Sequence, residues 1–273
     1  MLNYSKPVAV GAAELEGYTR VALELAERAG RATLPFFRAG IAIDNKRLDG
    51  RFDPVTEADR QAERVIRSGL QEAYPDHGIF GEEFGHQQGN GLTWVIDPID
   101  GTRAFMTGML HWGVLLALFD GQQPVLGVMH QPFTGEFFYG DNATAHYRRG
   151  GEQRQLRCRA CPSLEQAVLT TTSPRLFERP GERAAFERLE SDVKLSKYGG
   201  DCYIYAMLAM GFVDLATDAG LQAYDIQALM PIIRGAGGVV STADGGDASM
   251  GGVIIAAGSA TLHQLALQRM AGG

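Results

Sequence analysis

Residues 14–38, ELEGYTRVALELAERAGRATLPFFR, place Leu15, Tyr18, Ala22, Leu25, Ala26 and Ala29 at helical spacing. This predicts one amphipathic helix whose last turn is disturbed by Pro35, which has no amide to donate. The following IAIDNKRLDGRFDPV is polar and punctuated by Gly and Pro, and reads as a loop or short hairpin. A second helix is predicted over 56–74, with Thr56 as its N-cap. GIFGEEFG then reads as a short strand leading into a loop. From residue 93 the pattern turns to β. TWVID, the pair in HWGVLLALFDGQQPVLGVMHQP, EFFYGD and ATAHYRR form a strand meander, so this part predicts two helices on an antiparallel-looking sheet.

Beyond about residue 165 strands and helices alternate. QAVLTTTS, VKLSKYG, FVDLATD, GVVST and GGVIIAAG are strands. PGERAAFERLE, DCYIYAMLAMG, DIQALMPIIRGAG and SATLHQLALQRM are helices, the last capped by Ser259. Such alternation implies a layered α/β unit. The expected organisation is an N-terminal α+β part, 1–160, joined without a linker-like stretch to a C-terminal α/β part, 161–273.

The chain has 273 residues, enough to bury a large core without disulfides. Its net charge of −7 and the lack of a basic patch argue against nucleic acid as a partner. No apolar run is long enough to span a bilayer and the N-terminus lacks a signal-peptide pattern, so a cytoplasmic protein is expected, with no membrane partner. Three cysteines suit a reducing compartment. Cys158 and Cys161 form a C-x-x-C that could be a redox pair or half a zinc site, but no second pair or His ligands stand nearby, and two ordinary thiols fit as well. The NAT sequon at 142–144 carries no weight without a secretory signal.

The chemistry concentrates in WVIDPIDGTRAF, residues 94–105. Asp97 arrives at a strand end, Pro98 is expected to stop further pairing, and Asp100 returns close to Asp97 across a turn. Two carboxylates held together need a proton or a cation between them, and hard oxygen donors favour Mg²⁺, Mn²⁺ or Ca²⁺. Gly101 permits an unusual backbone angle, and the N–H groups of Gly101 and Thr102 would open a helix, a natural phosphate seat. An Asp-Pro turn with an Asp cap explains the same residues without any ligand.

WVIDPIDGT, with VTEAD and FGEEFG upstream and AYDIQALMPIIRGAGG downstream, resembles the inositol monophosphatase family. Four separated motifs in the right order cover nearly the whole chain and are jointly specific. The resemblance implies a layered αβαβα sandwich, of the class shared with fructose-bisphosphatase. It also implies Mg²⁺-dependent hydrolysis of a small-molecule phosphate monoester, with Mn²⁺ able to substitute, and a homodimer. Glu82, Asp97, the carbonyl of Ile99, Asp100 and Asp225 match its metal ligands. Asp59 matches an acid near a further metal and the attacking water, and Thr102 the hydroxyl that orients that water. Locally, Asp59 could instead belong to a capping box with Thr56, and Asp225 could cap the helix over 226–236.

DPIDGTRAFMTGMLHWGVLLAL and SKYGGDCYIYAMLAMGFVDL further resemble histidinol-phosphate phosphatases of this family, which would place the chain in histidine biosynthesis. Arg103, Gly200 and Asp201 are the distinguishing residues. Members acting on inositol phosphates carry a small residue near Asp201; a carboxylate there suits an ammonium or imidazolium. Asp201 could also be a helix cap. Asp218 stands where the family usually has Glu, one methylene longer, so its contact with substrate is expected to differ. Phosphatases of inositol phosphate, a 3′-phosphonucleotide or fructose 1,6-bisphosphate, and a non-catalytic metal-binding relative, remain open.

Overall fold

The computed structural model describes residues 6–39, 57–272 and the backbone of 44–45 and 54–55. In chain order the elements are α1 Ala12–Thr33, β1 Asp44–Asn45, β2 Pro54–Val55, α2 Glu57–Ala73, β3 Gly78–Gly81 and β4 Gly85–Gln87. Then follow β5 Thr93–Asp100, α3 Thr102–Met106, β6 Gly113–Phe119, β7 Pro124–Gln131, β8 Glu136–Gly140, β9 Ala145–Arg149 and β10 Glu152–Gln155. The remainder is β11 Val168–Thr171, α4 Pro180–Ser191, β12 Leu195–Tyr198, α5 Cys202–Ala209, β13 Leu215–Leu221, α6 Ala223–Ile226, α7 Leu229–Gly235, β14 Val239–Thr242, β15 Gly252–Ala257 and α8 Ala260–Ala271.

Two larger sheets form, ordered β10-β9-β8-β7-β6-β5-β3-β4 and β12-β11-β13-β15-β14. Side-chain alternation along β5 and β6 explains how five layers stack. Trp94, Ile96, Leu116 and Leu118 face α1 and α2, packing with Leu25, Ile66 and Leu70. Val95, Leu115 and Phe119 face the other way, meeting Ile204 of α5, Leu229 and Ile232 of α7, and Ile254 and Ala256 of β15. The outer face of the second sheet, through Leu169, Leu215 and Ile255, packs on Phe186 of α4 and Leu262 and Ala266 of α8. The order is helix, sheet, helix, sheet, helix. A sheet covered on both faces needs an unbroken apolar run, and VLLALF in β6 supplies it.

Four local expectations change. β5 continues through Pro98 to Asp100, because its register slips there: Asp97 pairs with Leu115 and Asp100 with Gly113. The extra residue is a bulge, which tolerates a proline without an N–H. The first sheet is not wholly antiparallel, since β3 runs parallel to β5. The helix expected over 226–236 is two short pieces, α6 and α7, separated at Gln227–Ala228. β4 and β10 are short strands that the reading of the sequence passed over. The hairpin region contributes the antiparallel pair β1–β2. Thr56 lies outside the described residues, so its cap does too. Ser259 does cap α8, accepting the N–H of Leu262. Among the described residues no helix is long and apolar enough to cross a membrane.

One buried titratable group gives a stability prediction. His130 of β7 stacks on Phe137 at 3.8 Å between ring centroids, and its Nδ1–H donates to the Glu136 carbonyl at 2.9 Å. Burial pushes its imidazole down to about 4; the hydrogen bond to the Glu136 carbonyl and then Glu27 oppose this, and Arg148 and Arg31 add to it. Between pH 6.5 and 4 the unfolded chain takes up a proton here that the folded chain refuses. Stability therefore falls as pH falls through that window, by up to about 3 kcal/mol from this site. His130→Gln should remove that portion of the slope in denaturant titrations run from pH 7 to 4. An unchanged slope refutes the assignment.

Candidate active site

Four segments converge where the first sheet meets α5, α6 and β13. β5 brings Asp97, Ile99 and Asp100 at its bulged end. α2 brings Asp59, buried on the helix face that also carries Ala58, Ala62 and Ile66. The β3–β4 loop brings Glu82, whose N–H donates to the Ile96 carbonyl of β5 at 3.2 Å. α6 brings Asp225, whose carboxylate accepts the Gln222 N–H at 2.7 Å. Asp225 is thus in the first turn of α6, where it completes a capping box with Gln222, and is not the N-cap of a helix starting at 226 that the alternative reading offered.

Glu82, Asp100, Gly101, Thr102, Arg103, Asp201, Asp218 and Asp225 line a cleft of about 370 Å³, along with Thr172, Cys202, Tyr205 and Tyr224. Asp59, Asp97 and Ile99 are buried. A larger groove of about 580 Å³ runs between α1 and the β7–β9 face. Its acids on α1, Glu16, Glu24 and Glu27, alternate with Arg20 and face Arg148 of β9, and among the described residues the groove gathers no cluster of carboxylates, so the acidic cleft is the candidate site.

Burial pushes the Asp97 carboxyl well up, and Glu82, Asp100, Asp225 and Asp59 push it further. Asp100 is raised well above its usual range by burial first, then by Asp225 and Asp201. These six carboxylates are therefore linked by repulsion in a low-dielectric pocket, an arrangement that costs stability unless a cation or protons compensate it. Among the described residues no three such side chains already close at ligand distance around one point. The donor chemistry fits a hard divalent cation: several carboxylates and the Ile99 carbonyl, all oxygen, while the neighbouring Cys202 thiol is held protonated by burial and offers no thiolate to a softer metal.

Gly101 turns the chain from β5 into α3 at φ 88°, and a Cβ there would lie 2.4 Å from the His111 carbonyl oxygen, so only glycine fits. Thr102 Oγ1 donates to the Ile99 carbonyl at 3.1 Å, which leaves its lone pairs toward the cleft. Asp201 precedes α5 at φ 43° and ψ −138°, a backbone strained for a non-glycine residue by roughly 1–3 kcal/mol. Its side chain makes no cap hydrogen bond, so the capping explanation fails. Burial raises its carboxyl to about 6, Arg103 pulls against that, and Asp225 adds to it. Gly200 is beside it; a Cβ there would lie 2.3 Å from Ile204 Cγ2.

Asp218 is differently placed from the expectation of a simple substrate contact. Its carboxylate accepts from Thr171 Oγ1 at 2.9 Å, Thr172 N–H at 2.7 Å, Thr172 Oγ1 at 3.1 Å and Tyr205 Oη at 3.3 Å. Burial lifts it to about 7 against those hydrogen bonds. It braces β11, β13 and α5, and any substrate contact would have to displace one of these donors. Tyr205, Thr172 and Cys202 escaped the reading of the sequence; only their neighbourhood to Asp201 or to a strand end could have flagged them. The C-x-x-C is free of any disulfide: burial pushes the Cys158 thiol up to about 12, which keeps it from being a reactive thiolate, and Cys161 Sγ donates to the Ser163 carbonyl at 3.3 Å.

A layered αβαβα sandwich that gathers acids from both sheets at one cleft is the build of the inositol monophosphatases. The protein resembles a solved inositol monophosphatase from Zymomonas mobilis with a TM-score of 0.84 and 38% identity, over 96% of this chain and all of that one. It is 37% identical to the bifunctional phosphatase IMPL2 of Arabidopsis thaliana over 98% of this chain and 79% of that protein. Identity to the histidinol-phosphatase of Chlorobaculum parvum is also 37%, over 80% of this chain and 83% of that protein. The chain belongs to the inositol monophosphatase family, whose profile matches residues 14–271. Membership supports phosphoric monoester hydrolysis as its activity.

Proposed function

We propose that the protein is a Mg²⁺-dependent phosphatase acting on histidinol phosphate. Glu82, Asp97, the Ile99 carbonyl, Asp100 and Asp225 would hold the metal. When bound, Mg²⁺ supplies charge neutralisation of the phosphate and lowers the pKa of a water. Asp59 accepts the proton of the attacking water. Thr102, already donating its own hydroxyl hydrogen to Ile99, offers lone pairs that orient that water. The N–H groups of Gly101 and Thr102, where α3 begins, would receive the phosphate. Arg103 and Asp201, both in the cleft wall, would meet the leaving alcohol, and Gly200 leaves room for the strained turn that carries Asp201.

The observation that carries the substrate choice is Asp201 itself: a carboxylate in the cleft wall, at positive φ, with no cap bond to make. A cationic leaving group would bring an opposite charge to it; a sugar or inositol offers hydroxyls but no charge. Likeness to a histidinol-phosphatase at 37% identity supports the same reading. A charge-assisted hydrogen bond is worth about 1.5–3 kcal/mol, or roughly 10- to 150-fold. Asp201→Asn is expected to cut kcat/KM for histidinol phosphate by that factor and to change glycerol phosphate hydrolysis far less. Equal losses on both substrates would make Asp201 a support of the metal site. Phosphate release from histidinol phosphate, inositol 1-phosphate and a 3′,5′-bisphosphonucleotide, with and without Mg²⁺, tests the whole reading. Preference for either of the last two overturns the histidinol assignment.

A further inference from the structure

Glu63 is fully buried on α2, one turn after Asp59 and on the same face. It does not line the cleft. Its Oε2 accepts the Glu83 N–H at 2.7 Å, and its Oε1 accepts the Phe84 N–H at 3.3 Å and the Arg67 Nε–H at 2.7 Å. Arg67 also donates to the Gly85 carbonyl. Around this knot, Arg60 stands 3.9 Å from the Glu83 carboxylate and Arg64 lies over the Phe84 ring at 5.3 Å. One helix face thus grips residues 83–85, the end of the β3–β4 loop and the first residue of β4. A Cβ at Gly81 would fall 2.0 Å from Glu63 Oε1, so glycine at 81 is what lets the carboxylate reach the loop.

The loop so gripped is the one that carries Glu82 into the cleft. The same helix carries Asp59. We infer that Glu63 is a positioning residue that couples Glu82 to Asp59, holding the β3–β4 loop so that the metal-binding acids keep their spacing. This rests on the metal-dependent reading above. Second-layer partners of this kind typically change metal affinity by about 10- to 100-fold when removed. Glutamine cannot replace Glu63: it has one acceptor oxygen, and its NH₂ would face either a loop N–H or Arg67.

The test compares wild type, Glu63→Gln and Arg67→Gln. Mn²⁺ binding is followed by electron paramagnetic resonance on metal-free protein, alongside its melting temperature and Mg²⁺-dependent turnover. The Mn²⁺ dissociation constant should rise about 10- to 100-fold in both variants. Turnover should recover toward the wild-type value at high Mg²⁺. If Glu63→Gln does not fold, Arg67→Gln decides alone, since it opens the same knot from its partly exposed edge. A lowered melting temperature with an unchanged Mn²⁺ constant makes Glu63 a structural strut and overturns the inference. Wild-type protein that binds no Mn²⁺ and works without Mg²⁺ sinks the metal reading itself, a result distinct from the former.

Discussion

Asp100→Asn is expected to lower kcat by about 10³-fold, roughly 4 kcal/mol of transition-state stabilisation, while leaving the protein folded. The amide keeps the shape of the carboxyl and loses the charge that would attract a cation. Asp100 lines the cleft and faces Asp225 and Asp201 in a buried setting. Removing one of these mutually repelling charges should leave the metal-free melting temperature unchanged or raise it. The opposite signs of the two effects separate a catalytic role from damage to the fold. Near-normal turnover at saturating Mg²⁺, or a large fall in melting temperature, refutes the role assigned to Asp100.

Chelation should be nearly as severe. EDTA-treated protein is expected to lose at least about 100-fold in activity and to recover with Mg²⁺, because the acids of the cleft outnumber its cations and repel a phosphate dianion. Among the described residues lining it Arg103 alone is basic, and Asp201 draws on its charge. A cation that binds only the folded chain should also stabilise it, by about 2.7 kcal/mol at a hundred times its dissociation constant. For a chain of this size that is a rise in melting temperature of roughly 5–10 °C. Full activity after thorough chelation would exclude the metal-dependent mechanism outright.

Several of these residues were legible before any coordinates, for different reasons. WVIDPIDGT combines a strand, a proline, a glycine at a turn and two acids within a few residues, so local chemistry alone marks it. Glu82, Asp59 and Asp225 are ordinary acids in their own segments, and only the resemblance of the surrounding motifs singled them out. Glu63 carried one faint signal, an acid four residues after Asp59 on the buried face of a helix. Without the loop above it, that signal cannot be told from a solvated surface carboxylate. The readings of Asp225 and Asp201 as N-caps changed because the ends of short helices depend on neighbouring turns: α6 starts three residues earlier than expected, so Asp225 closes a capping box on Gln222 from inside the first turn, and Asp201 sits at positive φ with no side-chain cap hydrogen bond.

By itself the sequence determined the periodic elements, since the apolar stripes of α1, α2, β6 and β7 are local and long enough to override competing turns. It also determined the acidic character of the β5 end and the glycine at 101. Tertiary structure decided what those elements do together. Bulging β5 against β6 carried the strand past Pro98, because β6 pairs on both sides of the irregularity and a bulge needs no N–H there. Packing one sheet between two helix layers brought acids from residues 59 to 225 within electrostatic reach of Asp97, a relation that no spacing along the chain encodes. It also made Asp218, which lines the cleft, a brace, because Thr171, Thr172 and Tyr205 reach it only once β11, β13 and α5 are packed.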